Sequence, residues 1–324
     1  MDPVRLLLIS TTAVLSLMLL IEWNQYSDDY QKQQSELYTA AITEQGVLTN
    51  ESVAAPTSQG INDGIPSVNQ ETNPLSVLLD DSETFNLSTD ALDLVVSADG
   101  GDVVSASLPK FPVRLDTPNQ PFRLLENNNL RRYVAQSGLI GPDGIDASGN
   151  RARYASQGVT DNGDGSHTLI LAWTGNDPLG MQIYKRFTAR DDRYDVNVSF
   201  DIRNDGSSIA SVTSFAQLKR DNTQAPDGNT GFGVSPYLGA ALTQPDERYT
   251  KLSFSDLNDE PFSKRLPAGW VAILQHYFVS AWIPSQQTSH DYFASQLSNG
   301  DNVIGYKNQN VDIAPGSAAT ITQT

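Results

Sequence analysis

Residues 194–204 read YDVNVSFDIRN, with Tyr194, Val196, Val198, Phe200 and Ile202 alternating against Asp, Asn, Ser, Asp and Arg. Successive side chains of an extended chain point to opposite faces, so this stretch is a half-buried antiparallel strand and not an amphipathic helix. Similar runs recur at regular intervals: HTLILAW (167–173), MQIYKRFTA (181–189), SVTSFAQLK (211–219) and DNVIGYKN (301–308). ALDLVVSADGGDVVSASLP (91–109) folds back about Gly100-Gly101 as a hairpin, and NDG and NGDG mark further turns. LSFSDLND (252–259) supports one short helical turn. Strands without intervening helices specify an all-β, antiparallel sandwich, with ordered structure starting near Phe85. About 240 residues is large for one sandwich, so two extended, packed sheets are expected.

GWVAILQHYFVSAWIP (269–284) carries two of the four tryptophans and only His276 as a side chain that takes up charge near neutral pH. On strand periodicity Val271, Ile273, Tyr277, Val279 and Ile283 share one face, and Trp270, Leu274, Phe278 and Trp282 the other. Both faces are apolar, so both are expected to be covered. Sixteen residues exceed the usual strand of about 5–6. A break near Gln275-His276 therefore predicts two core strands.

The N-terminus sets the location. Residues 4–21, VRLLLISTTAVLSLMLLI, are apolar apart from Arg5 and small hydroxyl residues. As a helix they would span about 27 Å, most of a bilayer core. Arg5 precedes the run, and Glu22, Asp28 and Asp29 follow it. The positive-inside rule then places residues 1–3 in the cytoplasm, 4–22 in the membrane and the rest outside. Small residues are missing just after the run, which favours an uncleaved signal anchor over a cleaved signal peptide. Residues 23–84 read as an acidic, low-complexity linker: residues 28–83 hold ten acidic residues and one basic one. Such a segment buries too little apolar surface to offset chain entropy. SVLLD (76–80) is a small apolar island within it and a candidate docking point.

The full chain of 324 residues has a formal net charge of -17. That excludes a nucleic-acid partner, because phosphate binding needs Lys and Arg clusters. With no cysteine there are no disulfides and no thiolate metal sites. His167, His276 and His290 lack a second ligand at metal spacing, and His276 reads as a core or turn residue. DNGDGS (161–166) has Gly163 where a calcium loop needs an oxygen ligand and Ala172 where it needs glutamate, so it reads as a hairpin turn. Asp191 and Asp192 point to opposite faces and read as a solvated turn. Phosphate-loop and nucleophile-elbow motifs are missing. The residues alone point to a membrane-tethered β-sandwich that binds or spaces, with no catalytic, cofactor-binding or metal residue to name.

Several long stretches, in the same order, resemble one family. MDPVRLLLISTTAVLSLMLLIEWNQY is similar to the start of the YidC membrane protein insertases of Gram-negative bacteria. SFAQLKRDN, LGAALTQPDERYTKLSFSDL, GWVAILQHYFVSAWIP and NVIGYKNQNVDIAPG resemble their first periplasmic domain, as do VVSADGGDVVSASLPKFPV and LRRYVAQSGLIGPDG. The resemblance implies a β-supersandwich of galactose-mutarotase-like fold over 85–324, without enzymatic activity. The His and Glu acid–base set of mutarotases is not found here. It implies insertion and folding of inner-membrane proteins, alone or with the Sec translocon and SecDF, with nascent inner-membrane proteins and the lipid bilayer as partners. It implies a further insertase core of five transmembrane helices beyond residue 324. It also implies that the domain's last strand and closing helix lie there, which would make this chain a fragment. The competing reading is a stand-alone, membrane-anchored periplasmic carbohydrate-binding or glycan-modifying protein; a blander one is an envelope scaffold.

Overall fold

The structure is a computed structural model that describes residues 83–146, 151–175, 180–223, 237–275 and 277–324. The expected cytoplasmic N-terminus, anchor and nearly all of the linker, including SVLLD, lie outside the described residues, and so does His276. No helix among the described residues is long and apolar enough to cross a membrane.

The chain opens with β1 (Thr84–Ser88), β2 (Asp93–Ser97), β3 (Val103–Pro112), β4 (Pro121–Asn127) and β5 (Arg132–Ile140). A meander follows: β6 (Tyr154–Asp161), β7 (Ser166–Trp173), β8 (Met181–Arg190) and β9 (Val196–Asn204). Next come β10 (Ala210–Arg220), β11 (Leu238–Leu242) and β12 (Thr250–Leu252), then the helix α1 (Phe254–Asp259). The chain continues with β13 (Phe262–Leu266), β14 (Val271–Gln275), β15 (Phe278–Trp282), β16 (His290–Gln296), β17 (Asn302–Lys307), β18 (Val311–Ile313) and β19 (Ala318–Gln323). The fold is all-β, as the alternation predicts, and α1 is the short turn expected within residues 252–259. Ser253 caps it by accepting from the Asp256 N–H, and Phe254 and Leu257 anchor it.

The strands form three antiparallel sheets. One has ten strands in the order β1-β2-β3-β4-β5-β10-β17-β16-β13, with β18 added beside β10. The second runs β12-β11-β14-β15 and the third β19-β9-β8-β7-β6. The expected two extended sheets thus become one large sheet with a second layer divided in two. A single apolar cluster unites all three: Tyr133, Leu218 and Tyr306 from the large sheet, Ile273 and Trp282 from the four-stranded sheet, Leu171 and Phe187 from the five-stranded one. β14 packs over β17, β15 over β10 and β1 over β7. Leu139, Phe200, Ile202 and Val212 form a second cluster. Phe215, Phe293 and Val303 form a third on the opposite, outer face of the large sheet, where cross-strand register also places Gln136, Gln217 and Lys307.

The run 269–284 breaks where expected, but its faces differ from the expectation. Gln275 pairs directly with Phe278, so the chain folds back over two residues and the parity inverts. Val271 then faces Trp282, and Ile273 faces Ser280. Val271, Ile273 and Trp282 are buried, whereas Tyr277 is 85% and Val279 54% exposed. β14 is a core strand; β15 is a sheet edge with one covered face. A hairpin returns each side chain to the layer of its cross-strand partner, which simple odd–even counting along sixteen residues misses.

Candidate functional site

The Gly100-Gly101 turn joins β2 to β3 with both residues in the left-handed region, φ 75° and 56°. Glycine serves a second purpose here, since a Cβ at Gly101 would press on the Lys185 side chain and one at Gly100 on Arg151. Lys185 occupies the inward phase of β8, between Met181, Ile183, Phe187 and Ala189, and is fully buried. Its Nζ donates to the carbonyls of Gly100, Gly101 and Ser137, each at 2.9 Å, which uses all three ammonium protons. Burial pulls its pKa down to about 7, and Asp102 opposes that pull.

Arg151 lies alongside. It pairs with Asp102 and, at 3.0 Å, with Asp146, and donates to Ser137 O at 2.9 Å. Burial opposes its charge, but Asp102 and Asp146 outweigh burial and hold the guanidinium ionised. Gln136 Nε2 donates to Asp102 Oδ2 at 2.7 Å, Gln217 Nε2 donates to Gln136 Oε1 at 2.9 Å, and Trp282 Nε1 donates to Gln217 O at 3.0 Å. One connected polar network thus ties the first hairpin, the centre of the large sheet, β8 and β15 together. Both carboxylates are engaged by Arg151, so neither is poised as a free general base.

The sequence candidates lie apart from this network. His167 Nε2 is 3.2 Å from Asp191 Oδ1 near the surface. His290 is buried; its Nε2 meets Ser285 O at 2.8 Å and its ring packs edge-on to Tyr292 and Tyr306. DNGDGS forms the β6–β7 turn, with Asp161 accepting from Gly163 N and Asp164 from Ser166. The Ser166 hydrogen bonds hold the Asp164 carboxyl below the usual range. Asp191 and Asp192 sit in the turn after β8 and do not share a site: one meets His167, the other Arg190 at 3.7 Å. No group of three His, Asp or Glu among the described residues could hold a metal ion. Sequence reasoning missed Lys185, although a lysine in the apolar phase of MQIYKRFTA was a visible signal.

Two exposed features stand out among the described residues. An open cavity of about 510 Å³ on the outer face of the large sheet is lined by Ile140, Thr213, Arg265, Asp291, Lys307 and Asn308, among others. It offers charges of both signs and side-chain amides, a lining for a polar ligand. Along β15, Phe278 stacks on Phe122 at 4.1 Å and meets Phe111 edge-on at 6.0 Å, and Phe111 contacts Tyr194. Phe111 and Tyr194 are both partly exposed, so this aromatic wall reaches the surface.

Residues 84–324 match the family model described as the YidC periplasmic domain. The chain belongs to that family. A membrane protein insertase YidC of Pseudomonas putida is 37% identical over 321 residues, covering 98% of this chain and 56% of the relative. Its counterpart in Pseudomonas entomophila is 36% identical over 326 residues, with the same coverage. The chain therefore spans little more than half the length of these curated relatives. Among solved structures, a galactose mutarotase-like protein from Lactobacillus casei aligns with 75% of this chain and 99% of its own at 8% identity and a TM-score of 0.49.

Proposed function

We propose that this chain supplies the signal anchor (4–22), tether (23–84) and periplasmic β domain (85–324) of a membrane protein insertase, with residues 1–3 cytoplasmic. The observation that carries the reading is the extent of the similarity to proteins named as insertases. The unaligned 2% of 324 residues is about six, so most of the apolar N-terminal run falls inside the match along with the β domain. The mechanism is physical. A protein path through the bilayer lowers the cost of moving polar segments across lipid, where unsatisfied backbone groups and charges are expensive. The β domain holds binding surfaces away from the membrane for the Sec translocon, SecDF or emerging inner-membrane proteins. The open cavity and the aromatic wall along β15 support a binding role. The engagement of Asp102 and Asp146 by Arg151 supports a structural rather than catalytic use of the buried charges. Depletion of the full-length protein tests this. Newly made single-span inner-membrane proteins are expected to remain uninserted, as read by their protease accessibility. Normal insertion after depletion would end the insertase assignment.

A further inference from the structure

The β14–β15 hairpin closes over two arginines that form no ion pair with a carboxylate among the described residues. Arg131 lies just before β5 and Arg220 ends β10, and both are buried. Arg131 Nη2 and Arg220 Nη1 donate to one atom, Gln275 Oε1, at 2.5 and 2.6 Å. Their other bonds go to the main-chain carbonyls of Arg123, Leu124 and Thr223. The nearby acids are committed elsewhere: Glu126 pairs with Arg123, and Asp221 accepts from the N–H groups of Arg132 and Thr223. Both guanidinium groups lie over the Tyr133 ring, at 5.7 and 4.8 Å from its centroid, which is a neutral partner.

Arg131 Nε, Arg220 Nε and Gln275 Nε2 are buried around them without a hydrogen-bond partner, and the Tyr133 and Ser280 hydroxyls are buried beside them with no partner but each other. Every one of these atoms carries a proton to donate. The Tyr133 and Ser280 hydroxyls hydrogen-bond each other, and such a pair still leaves one proton without an acceptor. Clustered buried donors around two like charges call for an acceptor that carries negative charge. Burial pulls the pKa of Arg131 down and that of Arg220 to about 10, and the opposing charges of Glu126 and Asp221 at Arg131, and of Asp221 at Arg220, do not offset it.

We propose that the Arg131–Tyr133–Arg220–Gln275–Ser280 cluster binds a small monovalent anion of halide size, such as chloride. Arg131, Tyr133, Arg220 and Gln275 are each at most 5% exposed, which favours a compact ion over a ligand with a polyatomic tail. The anion would pin the β14–β15 hairpin to the ends of β5 and β10. This site is independent of the insertase reading, and its test does not use insertion activity.

The experiment is thermal unfolding of the full chain, purified in detergent, as chloride replaces gluconate at constant ionic strength. Wild type should show a saturable rise in Tm of a few degrees, reproduced by bromide, as expected for a ligand that binds only the folded state. Gln275→Glu places a carboxylate between the two guanidinium groups. It should match or exceed the chloride-saturated Tm of wild type and show no chloride dependence. Crystals soaked in bromide should give an anomalous peak within hydrogen-bond distance of Arg131 and Arg220. Equal melting of wild type in chloride and gluconate would overturn the proposal. So would a Gln275→Glu variant that keeps the chloride dependence, or a position that takes water and excludes bromide.

Discussion

Lys185 makes the most demanding choice in the chain. Its ammonium lies 5.3 and 5.1 Å from the Phe187 and Phe200 ring centroids and is held by three carbonyls. Lys185→Met keeps the length of the side chain but removes all three bonds and leaves Gly101 O without its donor, since Arg151 still reaches Ser137 O and Gly100 O, and hydrogen bonds to charged groups contribute about 1.5–3 kcal/mol. The variant should lose roughly 2–4 kcal/mol in urea unfolding, with the m-value unchanged. The amine also titrates. Its folded pKa is lowered to about 7, against an ordinary value of 10.5, so the unfolded chain binds more protons between those limits. Stability should therefore rise with pH across that window, by at most about 1.4 kcal/mol per pH unit from this group. Comparison with Lys185→Met isolates the slope; identical pH profiles would remove Lys185 as its source. The inward position of Lys185 was legible from the alternation of residues 181–189. Its acceptors were not, because Gly100, Gly101 and Ser137 lie 85, 84 and 48 residues away in sequence. Arg151, Asp102 and Asp146 likewise come together only through strand pairing.

At the scale of elements, the β14–β15 hairpin shows what periodicity can and cannot fix. The break near Gln275-His276 was legible, because sixteen apolar residues are too long for one strand. Which side chains face the core was not, because a two-residue connection swaps odd for even across the turn. The register makes opposite expectations for two apolar positions on one strand. Trp282 is buried and bonded to Gln217 O, so Trp282→Ala should cost about 3–5 kcal/mol. Val279 lies on the open face, so Val279→Ala should change stability by less than about 0.5 kcal/mol. Equal costs in chemical denaturation would refute the register. The other pattern-rich strands, β7 to β10 and β17, were plain in the sequence. Short or weakly alternating ones such as β12 (TKL) and β18 (VDI) were not, since three residues carry no period.

For the whole molecule, the all-β class followed from alternation and turn chemistry. The division of the second layer into two sheets did not, because pairing order depends on contacts distant in sequence. Most of the chain's formal charge of -17 lies before the β domain, where residues 28–83 alone hold ten acidic residues and one basic one, and this discourages adhesion of that segment to anionic lipid headgroups. The proposed anchor at 4–22 would carry the β domain outside the cytoplasm. The chain has no cysteine, so one introduced thiol is a unique label. Leu115, between β3 and β4, is 97% exposed and suits Leu115→Cys. The decisive measurement is labelling of this variant by a membrane-impermeant maleimide in intact spheroplasts. The account predicts the same extent of labelling before and after lysis. Labelling that appears only after lysis would place the domain in the cytoplasm and contradict it.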